Sequence, residues 1–70
     1  MSDININAVY TQLRDAQILV TIYLMNGFQL HGVIVAFDQE VVAIKSDSRI
    51  LIVYKHAIST LVPKAPFELR

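Results

Sequence analysis

The sequence predicts a mainly β fold: one short N-terminal helix, then five strands curling into a small, strongly bent antiparallel barrel. Three observations carry this. Apolar residues recur at spacings of three and four only as far as Ala16, and short β-branched runs follow. Those runs are separated by turn sequences: Asn26-Gly27, Asp38-Gln39-Glu40 and Asp47-Ser48. Gly32 lies inside the longest run, where a glycine marks a bulge or a sharp bend. A strand bent in this way is what closure of a small barrel requires.

Taken in order, Ile6, Val9, Tyr10, Leu13 and Ala16 line one face of a helix over about residues 6–16, with Asp3 or Asn5 as its cap. Residues 18–25 form the first strand, which ends at Asn26-Gly27, a strong hairpin signal. Residues 28–38 form the second and longest strand, 41–46 the third and 49–54 the fourth. Lys55-His56 interrupts the pattern before a fifth strand over about 57–62, stopped by Pro63. Residues 63–70 make a short tail, so residues 1–70 read as one domain with its barrel over 18–62, without internal repeats or low-complexity segments.

Composition sharpens the picture. The 70 residues are 54% apolar and 17% charged, against about 45–50% and about 25% in an average soluble domain, which excludes intrinsic disorder. A domain this small buries a modest share of its surface, and without cysteine it has no disulfide to help. Symmetric self-association is the simplest cover for the surplus. The last strand, with Ile58, Leu61 and Val62, is an apolar edge that needs a partner. Edge pairing between identical copies would close a ring and meet both needs. The stretch 16–37 is free of charge but contains Gln17, Thr21, Asn26, Gly27, Gln29, His31 and Gly32, which excludes a membrane helix. The first twenty residues lack a basic start and apolar run, so a cytoplasmic protein is expected.

Few residues suggest chemistry. With no cysteine and two distant histidines, neither a zinc site nor a redox motif is expected. Nucleophile–base pairs, phosphate loops and paired carboxylates are missing from the pattern, so no enzyme and no cofactor are expected. Tyr54-Lys55-His56 is the most polar constellation. On a monomer it reads as a solvated turn, but in a ring it becomes a circle of cations around the axis, despite a net charge of zero. Tyr23 and Phe28 flank the Asn26-Gly27 turn, where aromatic faces can hold unstacked bases or simply pack; Leu30 reads as core.

The runs Asn26-Gly27-Phe28-Gln29-Leu30-x-Gly32, Phe37-Asp38 and Tyr54-Lys55-His56-Ala57-Ile58-Ser59-Thr60 resemble the bacterial Sm-like RNA chaperones of the Hfq family. The resemblance spans nearly the whole chain, from the helix to Pro63. It implies an Sm-like (LSm) barrel in a homohexameric ring, with RNA sites on both faces. On the helix side, the proximal face, Lys55, His56 and Gln39 match residues that hold uridine-rich RNA at the pore. On the distal face Tyr23, Gly27, Phe28, Gln29, Leu30 and Thr60 match residues that read adenine-rich RNA. Arg14 is what remains of a basic rim patch.

The chain is a divergent member of that pattern. Glu40 stands where an aromatic is usual, Ile6-Asn7 where a Gln-Asp pair is common, and His31 and Leu51 where some members place glutamines. A ring of Glu40 carboxylates beside the uridine pocket opposes phosphate and removes a stacking platform. The resulting expectation is a non-catalytic, cytoplasmic RNA-binding protein that holds single-stranded A-rich RNA. Its partners would be small RNAs and messenger RNA in post-transcriptional regulation and stress response, with weakened U-rich binding and weak rim activity. The alternative is a ring-forming assembly module with little RNA binding.

Overall fold

A computed structural model describes residues 4–65. Helix α1 (Ile6–Asp15) precedes β1 (Leu19–Leu24), β2 (Gln29–Phe37), β3 (Val41–Ser46) and β4 (Arg49–Tyr54); a 3-10 turn, Lys55–Ala57, then leads into β5 (Ile58–Pro63). Asn5 is the cap of α1: its Oδ1 accepts hydrogen bonds from the amides of Asn7 at 3.1 Å and Ala8 at 3.3 Å. The other candidate, Asp3, lies outside the described residues. The helix stops at Asp15, one residue before the expected end. The Ile18 amide donates to the Leu13 carbonyl at 3.1 Å and the Gln17 amide to Arg14 at 3.2 Å, the paired closure of a Schellman motif. Gln17 takes its left-handed position with φ +53°, where glycine is the usual residue.

The five antiparallel strands form one sheet in the order β4-β3-β2-β1-β5, so β4 and β5 are its free edges. Each turn has its own chemistry. The β1–β2 hairpin is a three-residue loop, Met25-Asn26-Gly27, closed by Leu24 N to Phe28 O at 2.8 Å and Gly27 N to Leu24 O at 3.0 Å. Gly27 supplies the left-handed residue at φ +93°. Between β2 and β3, the Asp38 Oδ1 accepts from the amides of Glu40 at 2.8 Å and Val41 at 2.9 Å. Asp47 and Ser48 join β3 to β4, with Asp47 at φ +57°.

The bend has two sources rather than one. The irregular step in β2 falls at Val35, between the pairs Ile34–Ile44 and Ala36–Ala43, so Val35 has no partner on β3. Gly32 is regularly paired with Val20, and its role is close approach. A Cβ there would collide with the Lys45 carbonyl oxygen and lie 2.7 Å from Ile44 Cγ2.

The core is built from one stripe of α1 and the inward residues of four strands. Leu13, Val20, Ile22, Ile34, Val42 and Ile44 are wholly buried, joined by Val9, Tyr10 and Val53. Each such side chain contributes about 1.5–3 kcal/mol relative to exposure. Apolar side chains also remain outside: Ile50, Ile52 and Tyr54 on β4 and Val62 on β5 are all more than 40% exposed. Both free edges of the sheet therefore carry uncovered apolar surface. Of the expected tail, residues 66–70 lie outside the described residues; Lys64 continues the β5 pairing by donating its amide to Leu19 O at 2.9 Å.

Candidate nucleic-acid interface

Two groups of side chains stand out. The first gathers at the end of β4. The amide of Lys55 donates to Glu40 O at 2.8 Å, fastening the 3-10 turn to the β2–β3 turn. This brings Gln39, Glu40, Tyr54, Lys55 and His56 around one open cavity of about 330 Å³. The rings of Tyr54 and His56 stack at 5.4 Å with 27° between their planes. The Lys55 ammonium sits 4.8 Å above the Tyr10 ring and 5.2 Å from that of Phe37, a favourable arrangement of cation over π-cloud. Tyr10 and Phe37 contact each other at 5.4 Å. Burial pushes the Tyr10 phenol up, and the two amide hydrogen bonds hold Asp38 below its ordinary carboxyl value, aided by Lys55.

The three residues expected on this side, Gln39, Lys55 and His56, are thus brought together. Sequence reasoning missed that Tyr10 and Phe37 seat the lysine. Tyr10 reads as part of the apolar helix stripe and Phe37 as part of the Phe37-Asp38 motif, and nothing local marks residues so far apart as a common platform.

The second group lies on the face of β1 turned away from the core. Strand alternation points Val20 and Ile22 into the core and sets Leu19, Thr21 and Tyr23 on the other face, where Leu19 and Tyr23 are exposed and Thr21 is buried. Register places Thr60 of β5, Tyr23 and Gln29 of β2 abreast in one row. Tyr23 is 38% exposed and Phe28, at the mouth of the hairpin, 68%. A Cβ on Gly27 would meet nothing within 4 Å, so the loop beside these rings is open. The neighbouring row is Val62, Thr21 and His31, in which Thr21 Oγ1 and His31 Nδ1 are 3.1 Å apart. Leu30 stands apart from this group. It is paired with the buried Ile22 and packs against the core, and Leu51, paired with Ile44, does the same.

Arg14 lies at the end of α1. Its Nε donates to Asp15 Oδ1 at 3.0 Å, and its guanidinium lies 5.3 Å from the centre of the Phe37 ring. A single arginine paired in this way leaves little free positive charge at the end of α1. Among the described residues no three His, Cys, Asp or Glu side chains converge as a metal site, and no helix is long and apolar enough to cross a membrane.

Comparison with known proteins places this geometry. Residues 7–68 match the family model described as Hfq protein. The chain belongs to the Hfq family. It is 51% identical to the RNA-binding protein Hfq of Brevibacillus brevis over 67 residues, covering 94% of this chain and 85% of that protein. The RNA-binding protein Hfq of Alkaliphilus metalliredigens is 44% identical over 68 residues, covering 96% and 85%. A crystal structure of the pleiotropic translational regulator Hfq superposes with a TM-score of 0.80 at 39% identity, covering 83% of this chain and 98% of that one. The expected Hfq-type fold, a helix followed by a bent five-stranded sheet, is therefore the observed one. Within it, Glu40 lines the cavity at the end of β4.

Proposed function

We propose that this chain is an RNA-binding protein and RNA chaperone that acts as a ring without catalysis. Single-stranded A-rich RNA lies on the distal face, in small-RNA-linked post-transcriptional regulation in the cytoplasm. One observation carries the reading: the exposed Tyr23 and Phe28 stand beside the row Thr60–Tyr23–Gln29 at an open hairpin. Base-on-aromatic stacking contributes about 1–3 kcal/mol per base and suits such a surface. The similarity to RNA-binding Hfq proteins supports the same class of ligand.

The ring is a homohexamer closed by pairing β4 of one copy with β5 of the next. Both are unpaired edges, and both carry exposed apolar residues that such pairing would cover. On the proximal face Gln39, Lys55 and His56 approach the RNA. Glu40 weakens uridine-rich binding there, because like charge opposes phosphate and a carboxylate offers no stacking surface.

Fluorescence anisotropy with labelled oligo(A) and oligo(U), with the oligomeric mass checked in the same buffer, tests this. Oligo(A) should bind much more tightly than oligo(U). Tyr23→Ala should weaken oligo(A) by about 5–100-fold with the mass unchanged. Binding to neither RNA by an intact ring would move the protein to an assembly role.

A further inference from the structure

We propose that the proximal cavity selects guanine, with Glu40 as the residue that sets this specificity; the inference rests on reading the chain as an RNA-binding protein. The main chain of Glu40 is pinned at two points: its amide donates to Asp38 Oδ1 at 2.8 Å and its carbonyl accepts from Lys55 N at 2.8 Å. The side chain leaves from a fixed position, and the residue lines the cavity. Among the described residues its carboxylate has no ion-pair or hydrogen-bond partner. The one salt bridge there is Arg14–Asp15, and Lys55 is drawn over the rings of Tyr10 and Phe37. A residue with an unpartnered acceptor therefore lines a cavity of about 330 Å³, within the size range of small-ligand pockets.

The chemistry of the bases then decides. An ionised carboxylate only accepts hydrogen bonds. Uracil presents one N–H flanked by two carbonyl oxygens, which repel it. Adenine and cytosine each offer an amino group next to an acceptor nitrogen. Guanine alone sets two donors, N1–H and the N2 amino group, side by side, matching both carboxylate oxygens. Its adjacent O6 is then placed for the Gln39 amide. Single-stranded RNA leaves this edge free to be read. The His56 ring, backed by Tyr54 at 5.4 Å, supplies an aromatic surface, and Lys55 supplies positive charge near the phosphate. The substitution that disfavours uridine thus creates a different preference in the same cavity.

The test uses three labelled pentamers, UUUUU, UUGUU and UUAUU, titrated by anisotropy against the intact ring and Glu40→Gln, each also in a Tyr23→Ala background that silences the distal face. UUGUU should bind about tenfold more tightly than UUUUU, within the range a bidentate base contact gives. Glu40→Gln, which replaces one acceptor by a donor, should reduce that preference to about twofold or less. UUAUU should gain nothing in the Tyr23→Ala background. Equal binding of UUGUU and UUUUU, or a preference that survives Glu40→Gln, overturns the proposal. Oligo(A) binding reads the distal face separately. Its loss with the guanine preference intact would refute the distal assignment alone, and the converse would refute the guanine assignment alone.

Discussion

Replacing Gly32 by alanine adds a single methyl group, yet it should cost a large part of the stability of this domain. The new carbon would collide with the Lys45 carbonyl oxygen and sit 2.7 Å from Ile44 Cγ2 and 3.0 Å from the Lys45 carbonyl carbon. Carbon pairs rest at about 3.5–4.0 Å, so β3 must retreat by about 1 Å. The obstacle is main chain, which no rotamer change removes. Overpacking of this kind costs about 1–3 kcal/mol. Lys45 is also the register partner of Val33, so the retreat weakens ladder hydrogen bonds worth about 1 kcal/mol each. Together these give about 3 kcal/mol, against about 4–10 kcal/mol for a 70-residue domain. With an unfolding entropy of about 0.15 kcal/mol/K for 70 residues, the midpoint should fall by about 20 °C. Thermal unfolding followed by circular dichroism is the assay, at one fixed protein concentration because assembly makes the midpoint concentration-dependent. Gly27→Ala is the control: it has open space around it but φ +93°, so strain alone should cost about 1–2 kcal/mol. A midpoint for Gly32→Ala within about 5 °C of the wild type, or one equal to that of Gly27→Ala, would refute the close-approach reasoning.

Three further outcomes are expected. Gln17→Gly should stabilise by about 1 kcal/mol, seen as a raised midpoint, because the position already holds φ +53° in the Schellman closure. Asp38→Asn should flatten the acid limb of stability. The folded carboxyl is held below its unfolded value, so its contribution is complete above the ordinary carboxyl range and is lost as pH falls through the lowered value. Unfolding free energy measured from neutral to acid pH reads this. Glu40→Phe should strengthen oligo(U) binding at the proximal cavity by restoring a stacking face; unchanged oligo(U) affinity with intact rings would remove Glu40 as the cause of weakness.

Most of the fold was legible because local chemistry agreed with it. The helical stripe ending near Ala16, the Asn5 cap and the turn residues after each strand place every element to within about a residue. What escaped was what depends on contacts between elements. Gly32 signalled a bend, but the unpaired residue is Val35, a β-branched residue that carries no bulge signature. Gln17 adopts a left-handed turn without the glycine that would announce it. At the candidate site, Gln39, Lys55 and His56 were readable from the motif. The rings beneath Lys55 were not, since Tyr10 lies on the helix and Phe37 at the far end of β2. Leu30 matches the motif by position, yet strand alternation turns its side chain towards the core.

The sheet order has a consequence for how the protein is made. Strands β1 to β4 pair with their sequence neighbours, but β5 must return across the whole sheet to β1, joining Thr60 to Tyr23. Until it does, the row Thr60–Tyr23–Gln29 is one strand short and β1 is itself an open edge. The β5 edge proposed to meet the next copy does not yet exist at that stage. Completing the protomer and becoming able to join a ring are therefore one event. A chain without β5 in place has the β4 edge but not its mate, so it cannot take a place in a closed ring.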